Sequence, residues 1–358
     1  VDGVPEEFQK SLSGRDIELV EGAAKFEGAN EISVDGASYQ AKNIVIATGS
    51  RARRLPIEGF DLAVTSDDLL DLREQPKSII FIGAGVITFE FTHLLARAGT
   101  KVTIVEIGPR PLPELDADVV AKLVEATEVL GVEILTGAET QSITAGDGKR
   151  IVTVKRNGAV STIEAEVVAN GAGRISNVDS LELDAADVRH KDSVIDIDEF
   201  LRSTSNPNVF AAGDAIIGPQ LSPVASYEGR IVGHNLVNQT MRSADYRTIP
   251  SAVFAVPALA SVGLTEEAAN EMGLNFDARV NDMTSWRSAM THAETHAFSK
   301  VLVEKGSDKI LGAHILGHGA AEIIHLFSWA MKAGMTTTDI KEQIYVYPTF
   351  ANDIKFLV

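Results

Sequence analysis

SIIFIGAGVITFE, residues 78 to 90, decides the fold. Ser78 to Ile82 is a continuous apolar run, the pattern of a strand buried on both faces of a parallel sheet. Gly83-Ala84-Gly85 turns the chain, and Val86 to Ala98 reads as a helix that Gly99 stops. Val102 to Val105 is a second buried strand, so the segment is a compact βαβ unit. A strand–Gly-x-Gly–helix turn lets backbone approach a pyrophosphate closely and aims helix N–H groups at it. Gly83, Gly85, Val86 and Ile87 are the candidate contacts. The third glycine of the usual fingerprint is Thr88, a change at the position of helix–strand packing rather than of phosphate contact. Glu106 ends the second strand, 23 positions after Gly83. A carboxylate there accepts hydrogen bonds from ribose hydroxyls and repels a 2′-phosphate, which favours NAD(H) over NADP(H). Arg110, four residues on, is placed to soften that preference. The competing view, an acid that merely ends a strand in solvent, has less support because strand, helix, second strand and acid fall in order.

Outward from this unit, Asp116 to Leu130 reads as a helix closed by Gly131, and Val132 to Leu135 as a short strand. Ile151 to Glu164 is patterned as a hairpin turning at Asn157-Gly158, and Val167 to Ala169 returns as a strand ending at Gly171-Ala172-Gly173. Upstream, Asp35-Gly36 marks a hairpin within residues 31 to 40. A short apolar run, Asn43 to Ala47, stops at Thr48-Gly49-Ser50, and a helix is expected near Ser66 to Leu72. Downstream, Asn208 to Ala212 ends in Gly213-Asp214, and a helix opens at Ser222-Pro223 with serine as N-cap and proline at its first position. Ala47-Thr48-Gly49 and Ala211-Ala212-Gly213-Asp214 flank the βαβ unit as the two ends of an interrupted domain would. An acid just past a strand-terminal glycine can bond a polyol or ribose hydroxyl. After Ile249 come strands at Ser251 to Val256, Lys300 to Val303 and Ile310 to Leu316, and helices at Glu266 to Met272, Ala320 to Ala333 and from Asp339.

The chain has 358 residues and a net charge of −18. Such a surface repels nucleic-acid phosphates and anionic lipid, so neither is an expected partner. The longest mostly apolar stretch, Ala252 to Leu264, is broken by Pro257, Ser261 and Gly263 and falls short of the ~20 residues of a membrane span. No signal-peptide pattern is visible, and a cytoplasmic location is expected. With no cysteine, these residues form no disulfide or thiolate metal site.

The segments IVIATGS (Ile44 to Ser50), SIIFIGAGVITFE, GAGRISNVDSL (from Gly171), NVFAAGDA (from Asn208), SVGLTEEAA (from Ser261) and KILGAHILG (from Lys309) together resemble the class I pyridine nucleotide–disulfide oxidoreductases, the family of glutathione reductase, dihydrolipoamide dehydrogenase and mercuric reductase. The resemblance spans nearly the whole chain. It implies an α/β fold of FAD- and NAD(P)-binding Rossmann-like domains plus a C-terminal α+β dimerisation domain. The implied order is a first FAD-binding part (1–73), an inserted NAD-binding domain (74–174), the second FAD-binding part (175–248) and the dimerisation domain (249–358). On this resemblance Asp214 meets the flavin's ribityl chain or adjoining phosphate region, and Ala47, Thr48, Gly49 and Gly213 lie against FAD. The helix start from Leu221 to Ala225 faces the flavin pyrimidine edge, Glu90 sits near the nicotinamide, and Gly173 lines the same nucleotide site. The implied activity is hydride transfer between NAD(H) and FAD, with a small redox substrate and a homodimer.

Two departures qualify the resemblance. The family's first FAD-binding glycine turn, and the redox cysteine pair that follows it in disulfide reductases, have no counterpart from Val1 onward. The chain therefore reads as a fragment, a processed chain or a partial record that holds FAD poorly by itself. At the other end the family's His-Pro-Thr-x-x-Glu is Tyr347-Pro348-Thr349-Phe350-Ala351-Asn352. A phenol of pKa about 10 is a poor base near neutrality, so thiol–disulfide exchange by the usual route is in doubt. The competing function is a non-catalytic dimeric NAD-binding module. His318, Glu322 and His325 fall at i, i+4 and i+7 and imitate a metal site, but an apolar interface helix explains them better and no metal is expected; His292, Glu294 and His296 read as a polar loop. Trp286-Arg287 lies where related enzymes approach the catalytic centre, with a packing role as the other reading. Ile323, Ile324, Phe327 and Ala330 are expected to supply an apolar interface face, and Phe327 and Trp329 to act as core or interface anchors.

Overall fold

The computed structural model describes residues 3–238 and 240–358. The chain folds as two compact units, Val1–Arg51 with Arg174–Ala244, and Ala52–Gly173 with Asp245–Val358.

The first unit contains a three-stranded antiparallel meander of Ala24–Gly28, Glu31–Val34 and Ala37–Gln40. Its second turn is Asp35-Gly36, both at positive φ, as a two-residue hairpin requires. A parallel pair, Ile44–Ile46 and Val209–Ala211, carries the two glycine-ended runs side by side. Helix Ser222–Val237 follows. Its N-cap is Leu221 rather than the expected Ser222, because Leu221 is the residue with extended backbone whose carbonyl accepts the Val224 and Ala225 N–H groups. Pro223 is tolerated there because first-turn N–H groups lack intrahelical partners anyway. Phe26, Ile46, Leu183, Val188, Val209 and Ile231 belong to this unit's core.

The second unit is built around a four-stranded parallel sheet in the order Val167–Asn170, Ser78–Ile82, Lys101–Val105, Glu133–Leu135. Ile79, Ile80, Phe81 and Ile82 are all buried, as strands covered on both faces must be. Helix Val86–Arg97 crosses from the first to the second strand of the βαβ unit, and Ala117–Glu128 makes the next crossover. Ala138–Gly146, Lys149–Arg156 and Ala159–Ala165 form an antiparallel sheet. A five-stranded antiparallel sheet runs Ser251–Val253, Leu259–Gly263, Ile310–Leu316, Phe298–Glu304, Phe276–Asp282. Helix Ala320–Ala333 packs on it. Ile323, Ile324, Phe327 and Ala330 are therefore spent on this unit's own core and are not a free interface face, whereas Trp329 is exposed. His318 precedes Gly319, the N-cap of that helix, so it does not share a helical face with Glu322 and His325. It stacks instead on His292, ring centroids 3.8 Å apart. Among the described residues no helix is long and apolar enough to cross a membrane.

Two polar junctions tie elements of this unit together. Lys300, on strand Phe298–Glu304 and 2% exposed, places its ammonium 3.2 Å from Asp116 and 2.7 Å from Asp118, and also pairs with Glu266. Asp116, fully buried, is the N-cap of Ala117–Glu128 and accepts from the Asp118 and Glu266 N–H groups at 3.1 and 3.2 Å. Burial alone would raise the Asp116 carboxyl, but His314, the Glu266 N–H and Lys300 hold it below the usual carboxylate range. The second junction is His93, 1% exposed. The Thr127 hydroxyl donates to the Leu123 carbonyl, so His93 Nε2–H donates to Thr127 Oγ1 (2.9 Å), while Nδ1 accepts the Val256 N–H (3.2 Å). Both ring nitrogens are thus committed in the neutral tautomer. Burial first, and the Arg97 charge second, push the His93 pKa from 6.5 down to about 4.

Lys300→Ala strands the fully buried Asp116 charge and is expected to cost about 3–5 kcal/mol in urea or thermal unfolding. The double variant Lys300→Met/Asp116→Asn should recover part of the loss, and equal losses in the two variants would show that the charge is not the cause. For His93 the folded pKa is depressed, so the unfolded chain binds the extra proton first. Stability from this group is full above about pH 6.5 and falls towards pH 4, by about 3 kcal/mol for the move from 6.5 to about 4. His93→Gln should flatten the unfolding free energy across that window; parallel curves for the two proteins would remove His93 as the source.

Candidate functional site

The turn between Ser78–Ile82 and Val86–Arg97 is set by contacts that admit no larger residue. Gly83 has φ +99, and a Cβ there would sit 2.3 Å from the Gly171 carbonyl oxygen. The strand ends therefore meet backbone to backbone. Thr88, standing where the third glycine is usual, is fully buried and turns its hydroxyl back to the Gly83 carbonyl at 2.8 Å. Its bulk is accommodated by Gly171, where a Cβ would lie 2.1 Å from Thr88 Oγ1. The missing glycine has in effect moved across the contact.

Gly85 caps the helix with no side-chain bond, so the first-turn N–H groups of Val86 and Ile87 are left open at the helix's positive end. Glu106 lies across the same turn. One carboxylate oxygen accepts the Ala84 N–H at 2.7 Å and the other the Gly108 N–H at 2.6 Å. Arg110 is turned away from it, donating to the carbonyls of Leu112, Pro113 and Leu115 and pairing with Glu267 at 3.5 Å. Further along the helix, Glu90 accepts the Phe254 N–H at 3.0 Å. Gly173, at φ +93, bonds its carbonyl to Arg53 N–H at 3.0 Å, with open space where a Cβ would be. An open helix start beside a strand-end carboxylate fits a dinucleotide: backbone donors for the pyrophosphate, an acceptor for the ribose.

In the first unit, Ala47, Gly49, Gly213, Asp214 and Ala225 line one cleft of about 410 Å³. Asp214 is half-buried and accepts from Ser50 Oγ at 2.9 Å, and Arg174 donates to the Ser50 hydroxyl and carbonyl at 2.8 and 2.7 Å. Gly213, at φ +69, donates its N–H to the buried Glu228 at 2.6 Å. Thr48 does not line the cleft; its carbonyl accepts from Asn177 at 3.5 Å. The helix start offers less than expected, because the Leu221 carbonyl takes the Val224 and Ala225 N–H groups; Ala225 reaches the cleft as a wall residue. The cleft also uses Gly229 and Gly233, which sequence reasoning passed over. Their spacing from Ala225, four and eight residues on, was the available signal for a helix face cleared of side chains. Room, a carboxylate and small walls together suit an extended polyol or nucleotide.

Tyr347 stands elsewhere, 66% exposed, on a cleft of about 240 Å³ shared with Arg287, Thr291, His292, Phe350 and Asp353. Asn352 is buried and bonds Lys355 at 2.9 Å rather than orienting Tyr347. Trp286 packs edge-on against Phe356, centroids 6.1 Å apart. Among the described residues no cluster of metal-ligating side chains is found.

Comparison with known proteins agrees with this architecture. The model of the pyridine nucleotide-disulphide oxidoreductase family matches residues 2–229, and that of the family's dimerisation domain residues 249–357. A mercuric reductase of Lysinibacillus sphaericus is 33% identical over 355 residues, covering 98% of this chain and 64% of that protein. A dihydrolipoyl dehydrogenase of Geobacillus stearothermophilus is 36% identical over 344 residues, covering 94% and 73%. The chain spans 64% and 56% of the length of two mercuric reductases it matches. Among solved structures, the HOCl-induced flavoprotein disulfide reductase RclA from Escherichia coli superposes with a TM-score of 0.90 at 27% identity, over 99% of this chain and 81% of that one. With family models covering most of its length, this chain belongs to the pyridine nucleotide-disulphide oxidoreductase family.

Proposed function

We propose that this protein is an FAD-dependent, NAD(P)H-linked oxidoreductase that passes hydride between nicotinamide and flavin, with NAD(H) preferred over NADP(H). The observation that carries it is the Gly83–Gly85 turn, with its open helix start and Glu106 fixed across it by two backbone N–H groups. In this reading Val86 and Ile87 donate to the pyrophosphate, Glu106 accepts from the adenosine ribose, and Glu90 and Gly173 line the nicotinamide end. The preference for NAD(H) gains support from Arg110, whose guanidinium is occupied by three carbonyls and Glu267 and so is withheld from a 2′-phosphate.

Ala47, Thr48, Gly49, Gly213, Asp214 and Ala225 are the proposed FAD contacts. Flavin, when bound, supplies the two-electron acceptor chemistry. The chain's own part is to bind and orient: Ser50 and Arg174 fix the Asp214 carboxylate, and the cleared helix face admits the cofactor's bulk. Residues 74–174 act as the NAD-binding domain, 1–73 and 175–248 as the FAD-binding domain, and 249–358 as the dimerisation domain of a homodimer. The terminal acceptor is a small redox compound. Tyr347, exposed and not oriented by Asn352, argues against the acid–base relay of a disulfide reductase. The relatives named mercuric reductase and the Cu(II) complex of the RclA protein make metal ions candidate acceptors to test.

Calorimetric titration with NADH and NADPH tests the nucleotide assignment. NADH should bind at least about tenfold tighter, and Glu106→Ala should erase most of the difference. Tighter binding of NADPH would overturn it. A yellow protein that NADH bleaches supports the oxidoreductase, whereas NADH binding by a protein that takes up no FAD favours a nucleotide-binding module. Sedimentation equilibrium at micromolar concentration should give a dimer; a monomer would count against the assignment of 249–358.

A further inference from the structure

Helix Val86–Arg97 meets residues 254–256 with three polar side chains on one face. Glu90, His93 and Arg97 fall at i, i+3 and i+7. Glu90 accepts the Phe254 N–H at 3.0 Å, His93 Nδ1 accepts the Val256 N–H at 3.2 Å, and Arg97 donates to the Val256 carbonyl at 2.8 Å. Burial alternates along this stretch as in an extended chain: Val253 and Ala255 lie in the core, Phe254 and Val256 are exposed. The stretch therefore has no apolar anchor at the two residues the helix holds. Its hold on them is polar, and His93 is its buried member.

His93 is also the member whose geometry is fixed from behind. Its Nε2–H is taken by Thr127, whose own proton goes to the Leu123 carbonyl on helix Ala117–Glu128. The ring cannot turn without breaking that chain, so Nδ1 stays aimed at Val256. Glu90, by contrast, is only partly buried, and one of its oxygens is used by Phe254.

We propose that His93 is a positioning residue for the nicotinamide end of the dinucleotide site: by holding Val256 N–H it keeps Phe254 N–H against Glu90, which fixes one carboxylate oxygen and leaves the other for the nicotinamide carboxamide. This rests on the assignment of Glu90 to the nicotinamide end. Nothing in the clamp touches the glycine turn or Glu106, so its loss should be felt by one half of the dinucleotide and not by the other.

The test compares NADH with ADP-ribose, which has the adenosine and pyrophosphate but no nicotinamide. Dissociation constants are measured by calorimetry for the unmodified protein, His93→Leu, His93→Gln and Glu90→Ala, alongside hydrogen exchange over residues 254–256. His93→Leu should weaken NADH about tenfold while ADP-ribose stays within about twofold, and exchange at Phe254 and Val256 should quicken. His93→Gln, which keeps an acceptor, should restore most of the NADH affinity. A His93→Leu protein that loses both ligands alike, or neither, overturns the proposal. If Glu90→Ala weakens NADH and His93→Leu does not, the nicotinamide assignment stands and the role of His93 alone falls. If Glu90→Ala leaves NADH unchanged, the assignment fails and takes the proposal with it.

Discussion

One ammonium organises the second unit. Lys300 reaches from the antiparallel sheet to the N-cap of Ala117–Glu128 and to the start of helix Glu266–Glu271, so three elements far apart in sequence share a single buried charge. Desolvating a lysine and an aspartate is expensive, and such a group adds less net stability than its contacts suggest. What it does is exclude alternatives. Any shift of the sheet against the parallel layer leaves Asp116 charged, buried and unpaired, a cost no apolar contact imposes. The position of helix Ala117–Glu128 is settled in this way, and with it Thr127, the Thr127–His93 bond, and through His93 the seat of residues 254–256.

Much of this was legible in the sequence because it follows local rules. Ser78–Ile82 and Ile310–Leu316 begin and end where the apolar runs do, and Asp35-Gly36 and Asn157-Gly158 mark the hairpins they were expected to mark. Strand Phe276–Asp282 was missed. Its sequence does alternate, with Phe276, Ala278 and Val280 at every second position, but it is a sheet edge with no fully buried residue, so the alternation does not mark a core-facing side. Ala24–Gly28 escaped for a related reason, since only Phe26 in it is buried, and Ala138–Gly146 because its buried Ala138, Thr140 and Ile143 include a polar residue among mostly polar neighbours. The helix face at 323–330 was read correctly as apolar, but apolarity does not name the surface that covers it. Here it is the chain's own five-stranded sheet.

The site shows the same division. A tight strand–helix turn and a strand-end acid leave a local mark, so the positions of Gly83, Gly85 and Glu106 about one turn could be named in advance. Side chains whose role is to bond backbone far away in sequence could not. His93 lies 163 residues from Val256, and Arg174 lies 124 from Ser50. The exchange of roles between Thr88 and Gly171 is a third example. Read singly, Thr88 is a defect in a fingerprint; read with Gly171, it is a packing contact with its space supplied from the opposite strand.

A chain of net charge −18 must still accept a polyanionic cofactor on the proposed assignment. Recruiting arginines to the phosphates is one solution, and Arg110, four residues past Glu106, is not arranged for it. Arg110 is bound to carbonyls and Glu267, and Arg97 to the Val256 carbonyl. Another means is the backbone itself, as the open end of helix Val86–Arg97 supplies N–H groups and a positive dipole end. These act at contact distance, whereas the repulsion of exposed carboxylates more than ~8–10 Å away is largely screened at physiological salt. Short-range dipoles can therefore bind phosphate on an acidic protein where long-range charge would oppose it. On the proposed assignment the same arrangement would discriminate: with Arg110 occupied and Glu106 held in place, an added 2′-phosphate meets a carboxylate.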